Sequence, residues 1–185
     1  MKMKNINTNK FFIIYFPRLS MVVFVLCIGI AMCLYSGGVY HMVSKSGESL
    51  CPGVSCVDLH HYIEGYYFTK NFLSDLGRTL THSQHSNFHS SLLFNMSLTL
   101  AGITYILFYV FLRRLFENKI LAGIGSISGI CGAICFIGVA FTPADLYLQP
   151  HIIFNLWVFR FFLVSTVCYS WLIYKEKEIN NIYLI

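Results

Sequence analysis

Ile120-Leu-Ala-Gly-Ile-Gly-Ser-Ile-Ser-Gly-Ile-Cys-Gly-Ala-Ile-Cys-Phe-Ile-Gly-Val-Ala-Phe-Thr142 is a run of 23 residues without one charge. Crossing the ~30 Å hydrocarbon core of a bilayer takes about 20 apolar residues in a helix, so this run is long enough to span. Pro143 ends it, because proline cannot continue a helical hydrogen-bond ladder. Working outward, three more blocks qualify: about 19–36, about 91–112, and 151–174 with Pro150 suited to a first helical turn. An aromatic segment, Phe11 to Phe16, precedes the first block, and Pro17 and Arg18 are expected to separate the two. The expected fold class is therefore all-α, a bundle of about four transmembrane helices. Residues 1–18 form an N-terminal segment, 37–90 a long connection and 175–185 a tail.

Composition agrees. The 185 residues are 56% hydrophobic and only 11% charged, whereas a soluble domain carries about 25% charge to cover its surface. The net charge of +5 does not indicate nucleic acid, because the lysines and arginines cluster beside apolar blocks instead of along one polar face. Their distribution sets an expected orientation. Nine of them (Lys2, Lys4, Lys10, Arg18, Arg113, Arg114, Lys119, Lys175 and Lys177) fall on one side of the four spans. The other side has only Lys45, Lys70 and Arg78. The positive-inside rule puts the nine, and both termini, in the cytosol of a plasma membrane or bacterial inner membrane. The first block has a basic start and a small-residue run at Ser36-Gly37-Gly38, as a cleaved signal would. Its length exceeds a signal core and no A-x-A-like site follows, so a retained span is expected.

Several residues are candidates for chemistry. Cys51 and Cys56 lie in the outer connection, where the surroundings are usually oxidising, and a small disulfide loop is expected there. The five intramembrane cysteines read as small apolar filler. Gly125 and Gly129, four apart on the third span, allow close helix approach, either within the chain or as the seam of a homo-oligomer. Arg160 lies about nine residues into the fourth span, some 13 Å deep at 1.5 Å per residue. A guanidinium at that depth is costly and marks a functional position, with snorkelling toward outer acids or lipid phosphates as the structural alternative.

Polar residues gather at the outer rim: Ser74, Asp75, His82, His85, His89, Asp145 and His151. Imidazoles and carboxylates in such numbers could ligate zinc or act as acid and base. No H-E-x-x-H signature occurs, so neither a metal nor a catalytic role is assigned. The alternative is a set of caps and turns. Ser74 would cap a short helix, Gly77 would supply a left-handed turn, and Ser86 or Asn87 would cap the second span. His85 and His89 would share a helical face if that helix begins early enough.

Asn71-Phe-Leu-Ser-Asp-Leu-Gly77, then Leu93-Phe94-Asn95 and Gly102, resembles the first half of domain-of-unknown-function family 998. Gly138-Val-Ala-Phe-Thr-Pro143, then Asp145 and His151, resembles its second half. The wider pattern is similar to DRAM/Frag-type membrane proteins. The resemblance implies a multi-pass membrane protein with no assigned activity. Those proteins usually carry more spans than four, which implies self-association here. No P-loop, nucleotide fingerprint, Gly-x-Ser-x-Gly elbow or c-type haem motif occurs. The expected function is non-enzymatic binding of membrane lipid or another membrane protein at the outer rim. A metal-dependent lipid hydrolase and a small transporter component are the alternatives, and zinc is the one cofactor the rim residues suggest.

Overall fold

A computed structural model of the chain describes residues 10–37, 65–82 and 84–175. It is all-helical in its regular structure, with four long apolar helices: α1 (Phe16–Leu34), α2 (Phe88–Leu112), α3 (Lys119–Phe141) and α4 (Leu148–Lys175). Each is long and apolar enough to cross a membrane. The protein is an integral membrane protein of the multi-pass kind. Cys51 and Cys56 lie outside the described residues.

The helix boundaries correct the sequence reading in informative places. Pro17 and Arg18 do not separate the aromatic segment from the first span. A π-helical turn, Phe11–Tyr15, leads directly into α1. Proline falls at the start of the α-helical geometry, where its missing N–H costs least, and the wider π turn accommodates the ring. α2 begins at Phe88, three residues before the expected Ser91, and α4 begins at Leu148, with Pro150 in its first turn. At the start of α3 the Asn118 side chain accepts the Leu121 N–H at 3.1 Å, a conventional N-cap.

The helices run up and down, and the closest backbone packing is between consecutive ones. α2 and α3 form the centre. Gly125 and Gly129 of α3 are spent on neighbours within the chain. A Cβ at Gly125 would lie 3.0 Å from Cys168 Cβ on α4, and one at Gly129 would lie 2.4 Å from the Tyr109 ring on α2. The aromatic rings of Tyr109, Phe162 and Tyr169 stack between α2 and α4. α1 sits at the periphery, with Leu19, Val22, Leu26 and Ile30 exposed as a lipid-facing helix requires. A polar contact pins it, the hydrogen bond donated by Thr104 Oγ1 to buried Ser20 Oγ at 2.9 Å. Its last turn ends beside the start of α2, where Ser36 Oγ donates to the Ser86 carbonyl at 3.2 Å. This brings the 65–87 segment, the α3–α4 connection and four helix ends to one rim of the bundle.

Candidate functional site

The rim is organised by a short 3₁₀ helix, Leu73–Gly77, laid across the start of α2. Asp75 is its anchor and is only 3% exposed. One carboxylate oxygen, Oδ2, accepts the Phe72 N–H at 2.9 Å and the Asn71 side-chain amide at 3.4 Å. The other, Oδ1, pairs with His82 Nε2 at 3.1 Å. Asn71 in turn accepts the Tyr67 N–H at 3.0 Å. Asn87, just before α2, is almost wholly buried and donates its amide to the carbonyls of Leu76 and Arg78 at 3.1 and 3.0 Å. Ser90 donates to the Leu76 carbonyl and Asn95 to that of Gly77. The polar side chains at the start of α2 therefore grip the backbone of the turn.

Two expectations change. Asn87 occupies the N-cap position of α2, but its side chain makes no capping bond and reaches back to the turn instead. Gly77 is not left-handed; positive φ among the described glycines is confined to Gly37 and Gly65. Glycine is required at 77 because a Cβ would lie 2.8 Å from Phe94 Cδ1 and 2.9 Å from Asn95 Oδ1. Among the described residues the non-glycine residue with positive φ is Gln84, with φ 63°, in the small hairpin bridged at Leu80 and Ser86.

Asp145, in the α3–α4 connection, staples that hairpin. Its carboxylate accepts the Thr79 N–H at 3.1 Å, the Leu80 N–H at 3.0 Å and the Thr79 hydroxyl. Burial alone would raise its pKa, but these hydrogen bonds outweigh burial and hold it below the usual carboxylate range. The staple's contribution is thus complete above the ordinary carboxylate pKa of ~3.9 and is lost as pH falls through the lower folded value. The unfolding temperature should hold from neutrality to about pH 4 and drop below it. Asp145→Asn should flatten that acid limb, as a thermal melt series at several pH values would read. An equal acid limb in the variant would contradict the assignment.

His151 is 5% exposed and faces the end of α3. Its Nδ1 lies 2.7 Å from the Thr142 carbonyl, while Nε2 is buried without a partner. His85 and His89 are exposed, and His85 lies outside the helix because α2 starts at Phe88. Ser74 is partly buried in the 3₁₀ helix. Among the described residues, no group of three or more His, Cys, Asp or Glu side chains is placed to hold a metal ion. Arg160 lies on the exposed side of α4, stacked 5.1 Å from the Trp157 ring centre. Asp75 and Asp145 are engaged elsewhere.

Sequence reasoning passed over Tyr35, Tyr66 and Thr79, and met Asn71 only as the first residue of a motif. Tyr35 closes α1 and is buried against Tyr66, edge to face at 5.9 Å. Burial, and after it the Asp75 charge, push both hydroxyls above the usual tyrosine range. The Asn71–Asp75 spacing of four was the available signal for one of these contacts.

Around this polar interior the rim presents apolar surface. Phe68 is 79% exposed and Phe72 62%, with Tyr67 and Leu73 beside them and Leu146 and Tyr147 on the α3–α4 connection. Lys70 lies 5.9 Å from the Tyr67 ring centre. No family model, curated protein or solved structure matches the chain.

Proposed function

We propose that this chain is a non-enzymatic membrane protein whose Asp75 rim faces the outside and binds membrane lipid or another membrane protein. The observation that carries the proposal is the division of labour at the rim. Among the described residues its carboxylates, Asp75 and Asp145, spend their oxygens on backbone N–H groups, a histidine and nearby side chains, while Tyr67, Phe68, Phe72 and Tyr147 project outward. A catalytic carboxylate needs an oxygen free for substrate or metal; a docking platform needs a rigid interior and an apolar exterior. Aromatic side chains are favoured at headgroup level, where an apolar ring meets an interface. The excess of basic residues on the opposite side favours cytosolic termini, with the platform facing out. The resemblance to family 998 fits a membrane protein and adds no activity.

A photoreactive benzophenone amino acid placed at position 68 or 72 tests this in native membranes. Adducts with lipid, or with a discrete membrane protein, are expected at both positions and not at position 84, where Gln84 is exposed but polar. Equal, background-level adducts at all three positions would overturn the proposal.

A further inference from the structure

The end of the bundle opposite the Asp75 rim holds a cavity of about 520 Å³ lined by Val110 from the last turn of α2, Arg113 and Arg114 from the 3₁₀ turn Arg113–Leu115 that follows, and Lys119 and Ile130 from α3. Val110 and Arg113, three residues apart across the end of α2, share a face. Lys119 and Ile130 are eleven residues apart, close to three full turns, so they also share a face. Gly123, one turn below Lys119, belongs to that same stripe, and a Cβ built on it would meet nothing within 4 Å. Beneath three cations, then, the cavity is walled by Val110 and Ile130, and Gly123 leaves open space beside α3.

The dimensions identify what fits. From Lys119 to Ile130 the stripe descends about 16 Å at 1.5 Å per residue, close to one leaflet of a ~30 Å hydrocarbon core. The mouth is cationic: three positive side chains against Glu117 leave a net +2 in the 113–119 connection. Arg114 is already braced, its guanidinium 4.9 Å from the Phe111 ring centre, and Lys119 donates to the Phe116 carbonyl. Lower down, the wall is Val110 and Ile130. A cationic mouth over an apolar slot one leaflet deep complements an anionic amphiphile.

We propose that this groove binds an anionic phospholipid of the adjacent leaflet, its phosphate among Arg113, Arg114 and Lys119 and one acyl chain running past Gly123 to Ile130. Basic pockets between transmembrane helices at headgroup level are suited to such lipids, and each basic group near an anionic surface strengthens binding several-fold. The site is distinct from the Asp75 rim and stands whether or not that rim binds anything.

The test is lipid retention by the purified full chain, read by native mass spectrometry after equilibration with equal amounts of phosphatidylglycerol and phosphatidylcholine. Wild type should retain phosphatidylglycerol about a hundredfold over phosphatidylcholine, from three basic groups each worth several-fold. Arg113→Gln, Arg114→Gln and Lys119→Gln together should bring the ratio near one. Gly123→Leu should lower phosphatidylglycerol retention with every charge in place, because it fills the slot; this variant decides the matter if the triple variant fails to fold. Inorganic phosphate at millimolar concentration should leave retention unchanged. Equal retention of the two lipids by wild type, retention unaffected by Gly123→Leu, or displacement of the lipid by inorganic phosphate would each overturn the proposal.

Discussion

Gly129→Val is expected to be the most damaging single change inside the bundle, costing about 3 kcal/mol or more, at the upper end of overpacking effects. Even the first carbon of a side chain there would lie 2.4–2.5 Å from three atoms of the Tyr109 ring. The ring cannot step aside, because Phe162 and Tyr169 stack beside it at 6.3 and 6.0 Å between centres. The backbone cannot either, because Ser126, on the turn before Gly129, donates to the Tyr109 carbonyl at 2.9 Å and fixes α3 against α2. Gly123→Ala provides the comparison on the same helix. With open space around it, it should leave stability unchanged or raise it by up to about 1 kcal/mol through better helix propensity. Thermal unfolding in detergent would read both, and Gly129→Val combined with Tyr109→Ala should recover part of the loss. Similar melts for Gly129→Val and Gly123→Ala would refute the packing argument.

That contrast shows what was legible in the sequence and what was not. Four blocks of uncharged residues announce four spanning helices, because a bilayer core imposes a length and a composition that few other structures need. Boundaries were legible to within a few residues wherever a proline or cap residue marks them, as at Pro143 and Pro150. They failed at Pro17, where a π turn absorbs a proline that sequence rules treat as a break. The spacing of Gly125 and Gly129 foretells close approach but not the partner. Gly125 meets α4 and Gly129 meets α2, a distinction that depends on the 100° turn of each residue and the placement of whole helices. At the rim, Asp75 and Asp145 stand out as charges in an apolar chain. What they bind did not, because their partners are largely backbone N–H groups, which every residue but proline carries. Asn71 and Asn87 were likewise invisible as organisers, since a polar residue near a helix start reads first as a cap or turn.

The second large effect is expected at Asp75. Its replacement by alanine removes the acceptor of the Phe72 N–H and the Asn71 amide and the partner of the His82 ring, at a carboxylate that is itself 3% exposed. Each abandoned buried donor costs about 1–3 kcal/mol, and breaking a buried charged pair by removing one partner costs about 3–5 kcal/mol. A loss of roughly 3 kcal/mol is therefore expected, the low end being appropriate because the bonds to Phe72 and His82 are only part-buried. The loss should be local. The hydrogen bonds that Asn87, Ser90 and Asn95 make to the Leu73–Gly77 turn are gripped from α2, and the contacts between α2, α3 and α4 do not pass through Asp75. Hydrogen exchange should consequently rise across residues 66–82 while the α3 amides between 122 and 133 stay protected. Asp75→Asn should fall between the two, because an amide oxygen can still accept the Phe72 N–H but brings an N–H group to a site built for an acceptor. The same pair of variants separates a structural carboxylate from a catalytic one. If Asp75 serves the fold, its loss loosens the turn and the aromatic platform of Phe68 and Phe72 with it, and photoadducts at position 72 should decline in proportion to the exchange. Undiminished protection of residues 66–82 in Asp75→Ala would show that the carboxylate is not what holds the rim together.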